Sequence, residues 1–193
     1  MPELPEVETV MRGLDGYLTG RVIARATLHR PDLRFPVPKE LPELLTGATV
    51  SGFRRRGKYM FLRLDRGVSV LIHLGMSGRI LLDGQTALHE HLTIETRDGR
   101  RVGLVDPRRF GALDVIATVD EDQHRLVVDL GPEPLGNEFS APVLLAALQG
   151  KAVSIKAALL DQKIVAGIGN IYASEALFRA RISPRRLAGS VGA

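Results

Sequence analysis

The residues of this chain that could do chemistry begin at its second position, where Pro2 is followed by carboxylates at Glu3, Glu6 and Glu8. Removal of Met1, the usual fate of an initiator methionine before a small residue, would expose Pro2 as a secondary amine. Such an amine is a good carbon nucleophile: an α-amino group titrates near about pH 8, so a useful fraction is neutral at pH 7, whereas an ordinary lysine is almost wholly protonated. Neighbouring carboxylates would raise that pKa and a helix N-terminus would lower it. The same residues also suit a plain helix start, because proline is tolerated in the first turn and acidic side chains favour the positive end of the helix dipole.

Four further stretches carry candidate chemistry. Arg54-Arg-Arg-Gly-Lys-Tyr-Met60 reads either as an edge strand protected from aggregation by charge or as a rigid element that holds Lys58 against phosphate. His73-Leu-Gly-Met-Ser-Gly78 and Asp106-Pro-Arg-Arg-Phe-Gly111 read as loops. Their apolar members Met76 and Phe110 are either buried or, among glycines and arginines, shaped to wedge into a base stack. Val165-Ala-Gly-Ile-Gly-Asn-Ile-Tyr-Ala-Ser-Glu175 is a glycine-rich turn that runs into a helix, with Asn170 at a capping position. It is a simple helix connection or a phosphate site, and no Gly-Lys-Ser/Thr follows to make it a nucleotide loop.

The elements that must position these residues fall into two groups. Val7, Val10, Met11, Leu14 and Leu18 recur at helical steps, which predicts a helix over 3–18. From Arg21 to about Thr118 the pattern changes to short β-type runs at 21–23, 58–64, 68–72, 79–82, 91–95, 102–105 and 113–116. Asp65-Arg-Gly67 and Arg97-Asp-Gly99 read as hairpin loops. This predicts an α+β fold, with the N-terminal helix packed on a mostly antiparallel sheet or a two-sheet sandwich. Leu130-Gly-Pro-Glu-Pro-Leu-Gly136 is a turn-rich connector, and only helical patterns follow, at about 140–149, 154–162 and 170–180. The expected domains are therefore 1–130, carrying the catalytic residues, and 131–193, helical.

Composition narrows the function classes. A chain of 193 residues with 45% hydrophobic and 25% charged residues can bury an ordinary core. Its apolar runs are too short to span a bilayer and its acidic start is no secretory signal, so the expected location is the cytoplasm, with no membrane partner. The absence of cysteine excludes disulfides, thiolate nucleophiles and cysteine zinc sites. A net charge of +4 and a pI of about 9.8 suggest an anionic partner. The cations of 54–66 face only Asp65 in the local sequence, so positive charge is expected to concentrate there.

Five motifs in one order carry a resemblance. Pro-Glu-Leu-Pro-Glu-Val-Glu-Thr at the start, His-Leu-Gly-Met-Ser-Gly, Asp-Pro-Arg-Arg-Phe-Gly, Leu-Gly-Pro-Glu-Pro-Leu and Gly-Ile-Gly-Asn-Ile-Tyr-Ala-Ser-Glu together resemble the bacterial formamidopyrimidine-DNA glycosylases. The resemblance runs from residue 2 to about 187. Leu4 is similar to this family rather than to endonuclease VIII, which typically has glycine there. The resemblance implies a helix on a two-sheet antiparallel β-sandwich, then a helical domain with a helix-two-turn-helix motif. It implies that Pro2 attacks the sugar C1′ of a damaged nucleotide and forms a Schiff base. Glu3 would manage protons at the sugar ring oxygen, Glu6 would support it, and Lys58 would serve β-elimination and contact phosphate. Met76, Arg108 and Phe110 would fill the gap left by the flipped lesion. His89, Arg108, Lys151 and Asn170 would contact DNA.

Members of the family usually continue with another helix and a four-cysteine zinc ribbon, whose arginine grips DNA and assists δ-elimination. The helical domain here is incomplete by that pattern, and without cysteine no zinc or other cofactor is expected. DNA binding is expected to be weaker, and strand cleavage to stop at β-elimination or fail. The leading expectation is a monomeric DNA repair glycosylase and lyase that acts on 8-oxoguanine and formamidopyrimidines in double-stranded DNA, associated with the nucleoid. The alternative is a catalytically impaired protein that binds lesions or abasic sites.

Overall fold

The structure, a computed structural model, describes residues 1–192. They form two compact units, one of Met1–Arg55 with Tyr59–His124, the other of Arg56–Lys58 with the residues from Arg125 onward.

The first unit opens with α1 (Leu4–Leu18), whose Leu4, Val7, Leu14 and Leu18 are buried, as the helical spacing predicts. Two four-stranded antiparallel sheets follow. One has the order β1-β6-β7-β5, from β1 (Ile23–Leu28), β5 (Arg79–Leu82), β6 (Glu90–Thr96) and β7 (Arg101–Val105). The other has the order β2-β3-β4-β8, from β2 (Val50–Arg56), β3 (Tyr59–Leu64), β4 (Val68–His73) and β8 (Ala112–Ala117). Both hairpin loops read from the sequence join antiparallel neighbours, β3 to β4 and β6 to β7.

One apolar core contains Leu14 and Leu18 of α1, Leu62 and Ile72 of one sheet, and Leu92, Ile94, Val102 and Leu104 of the other. It is the packed interior of a sandwich with α1 laid against it. Packing is tight: the void these residues share is only about 20 Å3, at the scale of a single water.

Three local expectations are corrected. The first strand starts at Ile23 rather than Arg21, because Val22 makes an isolated bridge to Thr49 before regular pairing with β6 begins. The strand β2 and the short helix α2 (Leu41–Leu45) carried no periodic signal in the sequence. The basic run 54–66 is not an unopposed positive stripe. Arg54 pairs with Glu121 at 3.0 Å and Asp122 at 2.5 Å, Arg55 with Glu8 at 2.6 Å, Arg56 with Glu133 at 3.1 Å, and Arg63 with Glu121 at 2.6 Å. Its counter-ions lie 47 to 77 residues away in the same chain, beyond the reach of a local reading.

Glu121 is the centre of this arrangement. Its buried carboxylate sits in a 3-10 turn (Thr118–Gln123) and accepts from Arg54, from Arg63 and, at 2.7 Å, from the Ser69 hydroxyl. Burial pushes its pKa up, but the hydrogen bonds from Arg63, Ser69 and Arg54 outweigh that and hold it below the ordinary carboxylate range.

In the second unit α3 (Ala141–Leu148), α4 (Ile155–Leu160) and α5 (Asn170–Arg179) surround a separate core of Leu148, Ile155, Leu159, Ile164, Val165, Ala173 and Leu177. Ser140 and Ser154 cap α3 and α4 by accepting from Val143 and Ala157 N–H.

Candidate active site

The local physics of the N-terminus places Pro2 at a fixed point. Glu3 is the N-cap of α1 and, with Glu6, forms a capping box in which Glu6 Oε2 accepts from the Glu3 N–H at 3.0 Å. Glu3 is 2% exposed, whereas Glu6 lies at the surface. The helix-start reading of the opening residues holds, and the helix anchors the two residues that precede Glu3. Glu6 serves the chain here by holding the Glu3 backbone.

Next to Pro2, Met1 lines a cleft of about 410 Å3 together with Arg34, His73, Gly75, Met76 and Phe110. The N-terminus and two of the wedge candidates thus border one cavity. Met76 and Phe110 are 45% and 43% exposed, so neither is a core residue. Arg108 is exposed as well, and its guanidinium stacks over the Phe110 ring at 4.7 Å.

The two loops touch through their backbones. Gly75 has φ +62, and a Cβ there would lie 2.4 Å from the Phe110 carbonyl carbon. Only glycine permits both that conformation and that approach.

Arg34 and His73 line the cleft and Tyr59 packs against His73; sequence reasoning assigned a role to none of the three. His73 stands in a quoted motif but drew no role, and Arg34 lies in a stretch without a motif. His73 packs on the Tyr59 ring with centroids 4.6 Å apart and accepts from the Gly75 N–H through Nδ1 at 3.2 Å, so its remaining ring nitrogen, Nε2, carries the proton in the neutral ring. Burial raises the Tyr59 phenol pKa, against a smaller opposing effect of the Arg34 charge, so Tyr59 stays protonated at neutral pH.

His89 is exposed, with φ +64, on the turn before β6.

In the second unit Lys58 is 7% exposed, and its Nζ donates to the Ile168 carbonyl at 2.9 Å. Gln162 donates to the same carbonyl at 2.9 Å and accepts from the Gly167 N–H at 2.8 Å. Lys58 is therefore brought to the glycine-rich turn that precedes α5. Asn170 is the first residue of α5, not its cap: Gly169 occupies the N-cap position, and no side chain caps the helix. Lys151 lies in the α3–α4 connection, where its carbonyl accepts from the Gly189 N–H at 3.0 Å. A larger cleft of about 590 Å3 borders Lys156, Phe178 and the last two residues of the glycine-rich motif, Ser174 and Glu175; none of the candidate catalytic or DNA-contact residues lines it.

No group of three or more His, Cys, Asp or Glu side chains suited to a metal occurs among the described residues, and the chain supplies no cysteine. These residues do not fit a four-cysteine zinc site.

An N-terminus beside a cleft edged by exposed apolar side chains, together with a helical unit that has a glycine-rich turn, fits the class of DNA glycosylases. The chain belongs to the formamidopyrimidine-DNA glycosylase family: residues 1–113 match the model of its N-terminal domain and residues 130–193 that of its H2TH domain. It is 65% identical over 192 residues to the formamidopyrimidine-DNA glycosylase of Acidiphilium cryptum, covering 100% of this chain and 70% of that one. It is 52% identical over 204 residues to that of Ruegeria pomeroyi, covering 100% and 72%. Among solved structures, a complex of Lactococcus lactis Fpg with abasic-site DNA superposes with a TM-score of 0.91 at 33% identity, over 98% of this chain and 71% of that one. A complex of an inhibited Lactococcus lactis Fpg with DNA containing N7-benzyl-Fapy-dG gives 0.91 at 33% identity, over 100% and 72%.

Proposed function

We propose that this protein is a DNA repair glycosylase and lyase that excises 8-oxoguanine and formamidopyrimidines from duplex DNA and nicks the strand by β-elimination. The observation that carries the reading is the position of Met1: it lines the cleft bordered by Met76 and Phe110, so its removal opens the Pro2 amine onto that space.

The chemistry needs no cofactor. The neutral Pro2 nitrogen attacks C1′, the N-glycosidic bond breaks, and the base leaves with its electron pair and takes up a proton. Loss of the proton from nitrogen and opening of the C1′–O4′ bond give an iminium, and the ring oxygen gains a proton, a transfer assigned to Glu3 in this reading. The iminium acidifies C2′, whose proton departs as the 3′ phosphate leaves. Lys58 serves that elimination. Extrusion of the lesion costs a few kcal/mol of stacking, which Met76, Arg108 and Phe110 offset by filling the gap. His89 contacts the DNA, and Lys151 and Asn170 contact its phosphate backbone. The protein acts as a monomer in the cytoplasm, at the nucleoid, and no helix among the described residues is long and apolar enough to cross a membrane.

Borohydride trapping on lesion duplexes tests the reading. A covalent adduct mapped to Pro2 is expected from protein lacking Met1. Lesion-preferring gel shifts without an adduct or base release would refute it and leave a binding protein.

A further inference from the structure

We infer that Asp106 is a positioning residue that locks the wedge loops and the His89 turn into one preset unit, an inference that rests on the gap-filling role just proposed. Asp106 is 1% exposed and uses every polar group it has. Oδ1 accepts from the Ser77 hydroxyl at 2.6 Å, and Oδ2 accepts from the Gly111 N–H at 2.8 Å. Ser77 Oγ in turn accepts from the Arg108 N–H at 3.2 Å. One carboxylate therefore ties the loop that carries Met76 to the loop that carries Arg108 and Phe110.

The Asp106 backbone reaches further. Its N–H donates to the His89 carbonyl at 3.0 Å, and its own carbonyl accepts from the Arg109 N–H at 3.2 Å and from His91 Nε2 at 2.7 Å. A carbonyl can only accept, so the His91 proton sits on Nε2. His91 Nδ1 is buried with no hydrogen-bond partner among the described residues, so this ring makes its one side-chain hydrogen bond to Asp106. Arg109 and His89 both hold left-handed backbone, at φ +55 and +64, conformations that persist in such residues only where the surroundings impose them.

Preset wedges matter because gap filling must compete with restacking of the lesion. Loops that had to order on DNA would lose part of their binding energy to entropy. In D106N the new amide can satisfy the Gly111 N–H through its oxygen, but it turns a donor toward Ser77. That hydroxyl then faces two donors and loses the acceptor for its own proton.

The test compares wild type, D106N and S77A, all melted to confirm folding. Two substrates are used: a lesion duplex, and an abasic site in single-stranded DNA, where no stack has to be opened. For both variants excision from the duplex is expected to fall about tenfold, the scale of one hydrogen bond to a charged group, with nicking of the single strand within about twofold of wild type. Equal loss on both substrates at unchanged Tm would overturn the inference, as would unchanged duplex excision. A 2-aminopurine beside the lesion reports wedge entry by fluorescence without catalysis, and its amplitude is expected to drop in D106N and S77A. A wild type that fails to trap would sink the enzymatic reading alone, because the fluorescence still judges the loop set: equal amplitudes in wild type and variants would sink the positioning role.

Discussion

Retention of Met1 should convert the protein from a nucleophile into a spectator, and the size of the effect can be worked from the N-terminus. With Met1 in place the Pro2 nitrogen is a tertiary amide: its lone pair is delocalised into the peptide bond and it has no proton to lose. The only free α-amine is then that of Met1, displaced one residue, about 3.8 Å, along the chain. That exceeds the roughly 3–3.5 Å separation of reacting atoms in a near-attack geometry. Nor can the N-terminus slide to compensate, because α1 begins at Leu4 and the Glu3–Glu6 capping box fixes its first turn.

With the Pro2 amine free and an unperturbed α-amine pKa, about 10–17% is neutral at pH 7, against about 0.04% for a lysine. Any substitute attack by lysine is therefore expected to be about 300-fold slower at that pH. The assay is a borohydride-trapping time course on a lesion duplex with two preparations, one verified by intact mass to begin at Pro2 and one made with methionine aminopeptidase inhibited. The Pro2 form should trap with a rate that rises tenfold per pH unit below the amine pKa and levels above it. The Met1 form should trap at least about 100-fold more slowly. Equal rates, or an adduct mapped to a lysine in the Pro2 form, would refute the reasoning.

Three other perturbations follow from the same geometry. Glu121→Gln should cost about 2–3 kcal/mol, less than the roughly 3–5 of a fully buried pair because Arg54 and Arg63 remain partly solvated, and should lower Tm by about 5–10 °C in a thermal melt. Because the folded pKa of Glu121 is depressed, its stabilisation is present above the unfolded carboxylate pKa of about 4.3 and is lost as pH falls through the folded value. Urea midpoints should therefore drop below about pH 4 in wild type and change less in the variant. Gly75→Ala places a Cβ against Phe110 at a positive φ, so it should cost about 1–3 kcal/mol and displace both wedge loops, with duplex excision lost before the melt is. Lys58→Met should be tolerated within about 1 kcal/mol, because Gln162 still donates to the Ile168 carbonyl, while strand nicking falls relative to base release on the same gel.

What the sequence by itself determined was everything encoded at short range. The helical spacing of Val7, Leu14 and Leu18 set α1, alternation and turn residues set six of the eight strands, and three helices were readable after the connector. The two motifs that hold Met76, Arg108 and Phe110 were visible as glycine-punctuated loops, and with three further motifs in order they pointed to the family. Tertiary structure alone decided what each charge and loop meets. The arginines at 54, 55 and 63 looked like a concentration of positive charge because their partners Glu8, Glu121 and Asp122 lie far along the chain, and a local count of charge cannot include them. Gly75 looked like loop punctuation until Phe110 stood against it. Asp106 stood in a loop motif with no role of its own, and Ser77, His89, His91 and Gly111 converge on it only in the fold. Helices and turns follow from interactions within a few residues, which sequence displays. Ion pairs, glycine clearances and buried hydrogen-bond hubs join residues tens of positions apart, and their energies exist only once the chain has folded.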